Sequence, residues 1–104
     1  MDWVAGAAKT SGRPSVASIS LGGYAIDAVN AAAANLVSSG VTTVVAAGNS
    51  DDDAADYSPA STPSVITVAA STIADAKASF SNWGAPVDIW APGMQQSLAV
   101  PKVI

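Results

Sequence analysis

The chain has 104 residues, half of them apolar, and a formal net charge of −4 from eight acidic residues and four cations. That apolar content excludes a disordered chain, and Lys9, Arg13, Lys77 and Lys102 are too few and too scattered to track a phosphate backbone, which excludes nucleic acid as a partner. Histidine, cysteine and glutamate are all missing, which removes disulfides, thiol chemistry, the usual neutral-pH base and the preferred ligands of transition metals.

No apolar run approaches the roughly 18 residues of a membrane span, and no basic segment leads into an apolar one, so the sequence predicts neither a membrane helix nor a signal peptide. Residues 1–10, MDWVAGAAKT, place Trp3, Val4, Ala7 and Ala8 at helical spacing, and SGRP ends that helix. SVASISLGG then reads as a β-branched strand from Val16 to Leu21, stopping at a glycine pair. In AIDAVNAAAANLVSSG, residues Ile26, Val29, Ala33, Leu36 and Val37 fall on one helical face. Asp27 suits the positive first turn of that helix and Gly40 its left-handed stop.

TTVVAA, Thr42 to Ala47, is a second strand, so strand, helix and strand form a βαβ unit whose right-handed crossover makes the strands parallel. Both strands end in small residues on the same edge, SLGG and AAGN, and the carboxyl edge of a parallel sheet is where open α/β folds place ligands. SDDDAADYSPASTPS reads as loop, with its acidic residues solvated; VITVAAS is a third strand, DAKASFSNWGAP a turn-rich connection and VDIWAPG a short fourth strand. The fold class is therefore α/β, mainly parallel sheet, with a βαβ unit and a loop-rich second half. Its apolar content is chiefly Ala and Val, so packing depends on close backbone approach.

Five segments, SISLGG, VVAAGN, YSPASTPSVITVAAS, ASFSNWG and VDIWAPG, occur in the order and at the spacings of subtilisin-like serine proteases, and the chain most resembles the proteinase K group. The resemblance covers residues 1–93, the central portion of a subtilisin-like peptidase domain; residues 94–104 read as a divergent tail without a family match. It implies a partial subtilisin-like fold and peptide-bond hydrolysis. In that family a side-chain amide helps form the oxyanion hole, and the asparagine of AAGN, here Asn49, takes that role. Read from its own neighbours, Asn49 instead closes a turn by accepting backbone hydrogen bonds.

The resemblance further implies that Ser20, Leu21, Gly22 and Gly23 pair with an extended substrate as an added strand. Ala46, Ala47 and Gly48 then wall the pocket for an apolar side chain before the scissile bond. A structural calcium ion falls to the carbonyls of Pro63 and Val65 and to Asp88, oxygen donors suited to a hard cation, although Asp88 alone reads equally as a solvated carboxylate. A cis Ser58–Pro59 bond and an extracellular location also follow from the resemblance.

The family's catalytic Asp, His and Ser motifs have no counterpart here, so the expected product is an internal fragment, inactive alone: an excerpt, a truncated gene or a misread frame. The alternatives are a non-catalytic peptide-binding module or decoy, and an unrelated α/β domain with a small ligand at its strand ends. The expected partner is an extended peptide or protein substrate, and an incomplete sheet invites self-association through its exposed edges.

Overall fold

The β-branched runs assemble into one four-stranded sheet, ordered β1-β3-β5-β6 and parallel throughout. The structure, a computed structural model, describes residues 1–94; residues 95–104, most of the expected tail, lie outside the described residues. The elements are α1 Asp2–Ser11, β1 Val16–Ile19, β2 Gly23–Tyr24, α2 Asp27–Ser38, β3 Thr42–Ala46, β4 Tyr57–Ser58, β5 Ile66–Ser71 and β6 Ile89–Pro92, with a 3-10 turn at Ala54–Asp56. Val16 pairs with Thr42, Val44 with Ile66 and Val68 with Ile89. The predicted mainly parallel α/β architecture is the one observed.

Side chains along β3 and β5 alternate in burial because successive residues face opposite sides of a sheet. Thr43, Val45, Thr67 and Ala69 point inward, and Val45 meets Ala33 of α2 in a core that includes Val65 and is flanked by Met1, Ile19 and Val37. A second cluster of Ala47, Ala54, Ala60 and Ala69 lies beneath the carboxyl ends of β3 and β5. Its members carry only methyl groups, so the loops can approach the sheet closely. On the opposite face Val16, Ile66 and Ile89 are exposed. Parallel sheets are ordinarily covered on both faces; among the described residues only one face is covered.

Helix α2 ends as its sequence predicts. Gly40 adopts φ +96°, its N–H donates to the Val37 carbonyl at 3.0 Å, and the Val41 N–H donates to Leu36 at 3.4 Å. These two bonds form a Schellman stop and turn the chain directly into β3. The helix start differs from expectation. Ile26, predicted on the buried face, is the N-cap at φ −134° and is 56% exposed, because the residue entering a helix is extended and points off the helical stripe. Its N–H donates to Ser58 Oγ at 2.9 Å instead. The predicted first strand also ends early: β1 stops at Ile19, and Gly23–Tyr24 pair antiparallel with Tyr57–Ser58 in a separate two-stranded ribbon.

Leu36 has no exposed surface, and its truncation to alanine leaves a cavity under α2. Leu36→Ala is expected to cost about 3 kcal/mol, read as a lower urea midpoint with an unchanged slope; a loss under about 1 kcal/mol would contradict this packing.

Candidate active site

Strands β1 and β3 run parallel in register, Ile19 beside Val45, so the segments leaving them emerge side by side at the carboxyl edge. After β3 the Ala47 N–H makes one further sheet bond, to the Val68 carbonyl at 2.8 Å. Gly48 then breaks away at φ +107°, and a Cβ there would collide with Asn82 Nδ2. Only glycine combines that dihedral with that approach. Asn49 follows, exposed at the tip.

The turn is closed by Asn82, not by Asn49. Asn82 is wholly buried; its Nδ2 donates to the Ala47 carbonyl at 2.9 Å, and its Oδ1 accepts from the N–H groups of Ser50 at 2.9 Å and Asp52 at 3.1 Å. Its own N–H donates to the Gly48 carbonyl at 2.9 Å. Among the described residues the Asn49 side chain has no hydrogen-bond partner. The turn-closing reading of Asn49 therefore does not hold: the backbone groups it would satisfy are already taken.

The facing wall is the segment after β1. Gly22 lies against the ribbon, where a Cβ would be 2.9 Å from the Ser58 carbonyl oxygen. The Ser58–Pro59 bond is cis, and Tyr24 and Tyr57 stack with ring centroids 5.5 Å apart. Between the walls runs a groove of about 480 Å³, lined by Ser20, Leu21, Gly22, Gly23, Ala46, Ala47, Gly48 and Asn49 together with Tyr24, Tyr57 and Ser58. A second hollow of about 530 Å³ opens over the uncovered sheet face, bordered by Val44, Val68, Phe80 and Gly93, and shares Ser20, Ala46 and Asn49 with the first. Asn49 thus stands on the ridge between them.

A family model, that of the Subtilase family, matches residues 1–102. The chain belongs to the subtilase family. The match runs past Gly93, where the legible motifs stop. Similar subtilases include the subtilisin-like serine protease Pen ch 13 of Penicillium rubens, 50% identical over 97% of this chain and 26% of that protein. The alkaline serine exoprotease A of Vibrio alginolyticus is 52% identical over 91% and 17%, and the cuticle-degrading protease of Metarhizium anisopliae 55% over 89% and 24%. Among solved structures, a cold adapted subtilisin-like serine proteinase superposes with TM-score 0.82 at 48% identity, covering 88% of this chain and 33% of that one. This subtilase chain spans about a quarter of the length of the first of these relatives.

The calcium candidates of this subtilase lie around the start of β5. Asp88 is fixed there by two bonds to one residue: its Oδ2 accepts from the Thr67 N–H at 2.8 Å, and its N–H donates to the Thr67 carbonyl at 2.9 Å. Its other carboxylate oxygen stays available, and among the described residues the Pro63 and Val65 carbonyls accept no hydrogen bond. One carboxylate and two carbonyls are oxygen donors of the kind a hard cation takes. Among the described residues no cluster of three or more His, Cys, Asp or Glu converges on a metal position.

In the acidic loop Asp51, Asp52 and Asp56 are exposed as predicted, whereas Asp53 is half-buried and Ala54 belongs to the core, and three of the four carboxylates are engaged. Asp51, at φ +48°, pairs with Lys77 at 2.6 Å; Asp53 caps the 3-10 turn through the Ala55 N–H; and Asp52 accepts from the Tyr57 hydroxyl at 3.2 Å. Sequence reasoning missed Asn82, the Tyr24–Tyr57 stack and the Asp51–Lys77 pair, because each joins segments more than 25 residues apart.

The hydrogen bond and charge of Lys77 hold the Asp51 carboxyl below its ordinary range. A depressed native value means that the pair stabilises the loop above the unfolded carboxyl value, about 3.9, and that this contribution is lost as pH falls through the lower native value. The melting temperature of the wild type should therefore fall more steeply between pH 5 and pH 2 than that of Asp51→Asn, by a small margin that added salt reduces. Parallel curves would contradict the pairing.

Proposed function

We propose that this subtilase chain supplies the oxyanion-holding and substrate-pairing part of a serine endopeptidase. The observation that carries this reading is the Asn49 amide: exposed, without a partner among the described residues, and set on a groove whose other wall is the Ser20–Gly23 backbone. An extended peptide pairing along that backbone presents its carbonyls to the ridge. As a carbonyl carbon is attacked, its oxygen gains negative charge, and a fixed amide donor stabilises that charge more than it stabilises the ground state. Subtilisin is itself the standing example of the effect; there, loss of the oxyanion-hole asparagine costs roughly 10²–10³ in kcat.

The remaining parts of the groove serve selection. Ala46 and Gly48 leave room for an apolar or aromatic side chain ahead of the scissile bond. With no histidine in the chain, the usual base for activating a serine hydroxyl comes from elsewhere in a longer protein. The hollow on the other side of Asn49 receives the segment that brings the nucleophile. The chain alone binds without cleaving, so a second reading, a non-catalytic peptide-binding module, rests on the same groove and the same missing histidine. Calcium held by Asp88 and the Pro63 and Val65 carbonyls would tie β6 to the turn before β5. An extracellular site of action accords with the family resemblance, and no helix among the described residues is long and apolar enough to cross a membrane.

An acetylated apolar tetrapeptide is expected to bind the purified chain in calorimetry, while casein stays uncleaved and a fluorophosphonate probe leaves the chain unlabelled. Gly22→Val, whose Cβ would meet the Ser58 carbonyl, should weaken binding at least about tenfold. No binding at millimolar peptide would contradict the groove, and turnover would contradict the missing base. Millimolar calcium should raise the melting temperature by a few degrees, and Asp88→Ala should abolish the rise; an unchanged melting temperature in the wild type would count against the metal site.

A further inference from the structure

Asn82 brackets Asn49 on both sides. Its amide donates to the Ala47 carbonyl, two residues before Asn49, and accepts from the Ser50 and Asp52 N–H groups, one and three residues after it. No other side chain among the described residues bonds to both arms of this turn. The neighbouring backbone reinforces the clamp: the Asn82 N–H donates to the Gly48 carbonyl, the Asp51 N–H to Phe80 and the Trp83 N–H to the Asp52 carbonyl, all at 2.9–3.1 Å. The segment 80–83 therefore acts as a template along which the turn is laid.

We propose that Asn82 is the positioning residue of the oxyanion donor, a proposal that rests on the reading of Asn49 given above. The chemistry needed at position 82 is narrow. A carboxamide carries a donor and an acceptor on one rigid plane, so a single side chain satisfies a carbonyl on one arm of the turn and two N–H groups on the other. Aspartate keeps the acceptor and loses the donor; leucine, of similar size, loses both. Because Asn82 takes the Ala47 carbonyl and the Ser50 and Asp52 N–H groups, and the Phe80 carbonyl takes the Asp51 N–H, the Asn49 side chain makes no bond inside its own loop and its amide faces the groove. Gly48 completes the device, since any Cβ there would occupy the space of Asn82 Nδ2. Displacement of a catalytic group by about 1 Å is enough to cost on the order of 10²-fold in rate, so a clamp two bonds removed from the chemistry has catalytic consequence without touching substrate.

The test uses the ¹⁵N-labelled chain in solution NMR, with an acetylated tetrapeptide ending in a phenylalanine carboxylate as the oxyanion mimic and its C-terminal primary amide as control. In the wild type the carboxylate peptide should shift the Asn49 side-chain NH₂ and the Gly22 and Gly23 N–H signals, and the control mainly the glycines. In Asn82→Leu the glycine shifts should persist, the Asn49 response should fall at least about threefold, and the Ser50 and Asp52 amides should exchange about tenfold faster. Asn82→Asp, which keeps the acceptor bonds but sets a carboxylate oxygen against the Ala47 carbonyl, should hold that exchange nearer to wild type than Asn82→Leu does, while its Asn49 response falls as in Asn82→Leu. If Asn82→Leu does not fold, Asn82→Ser, which leaves room for water, is expected to show the same losses. A wild-type Asn49 signal that ignores the carboxylate while the glycines respond would overturn the oxyanion reading itself. A responsive wild type matched by an equally responsive Asn82→Leu, with unchanged exchange, would overturn the positioning role alone.

Discussion

The bond from Asn82 Nδ2 to the Ala47 carbonyl sits where β3 stops being sheet and becomes loop. A strand that ends in the interior leaves backbone groups that must find partners, and here one buried amide supplies them across 35 residues of sequence. Had Asn49 met that need itself, its side chain would be spent on the turn. Because Asn82 meets it, the chain presents a free amide on a fixed stalk. That division of labour between two asparagines underlies both the chemistry proposed for the groove and the close packing beneath it.

The sheet explains why the stalk is stiff and why one of its faces is open. Three parallel strands in register bring SLGG and AAGN to one edge, and a methyl-lined cluster of Ala47, Ala54, Ala60 and Ala69 lets the loops settle closely over the strand ends. The opposite face carries Val16, Ile66 and Ile89 in the open. Asn49 lies on the border between the substrate groove and the hollow over that open face. On the function proposed above, a donor so placed faces a peptide on one side and the hollow over the open face on the other.

Much of this was legible in the sequence where a physical pattern repeats. β-branched runs in VASI, TTVVA and ITVAAS marked β1, β3 and β5, and the spacing of Ala33, Leu36 and Val37 with Gly40 after them marked α2 and its stop. Ile26 was misplaced because hydrophobicity alone does not distinguish the last extended residue from the first helical one. The β2–β4 ribbon was invisible because GY and YS are too short to show a period, and their pairing is set by the turn at Gly22 and by contacts to Ser58. The groove residues were legible through family resemblance, which reads motifs whole. Asn82 was not, since SNWG looks like any polar turn and its amide acquires a role only when folding brings it under Gly48. The exposure of Asp51, Asp52 and Asp56 was likewise legible, but the pairing of Asp51 was not, because Lys77 reaches it only through the fold.

The most direct test of the account is a crystal structure of the chain with a product peptide, an apolar tetrapeptide with a free C-terminal carboxylate. A peptide strand is expected alongside residues 20–23, with one carboxylate oxygen about 3 Å from Asn49 Nδ2. A peptide seated elsewhere, or an Asn49 amide folded back onto its own turn while the groove is filled, would contradict it.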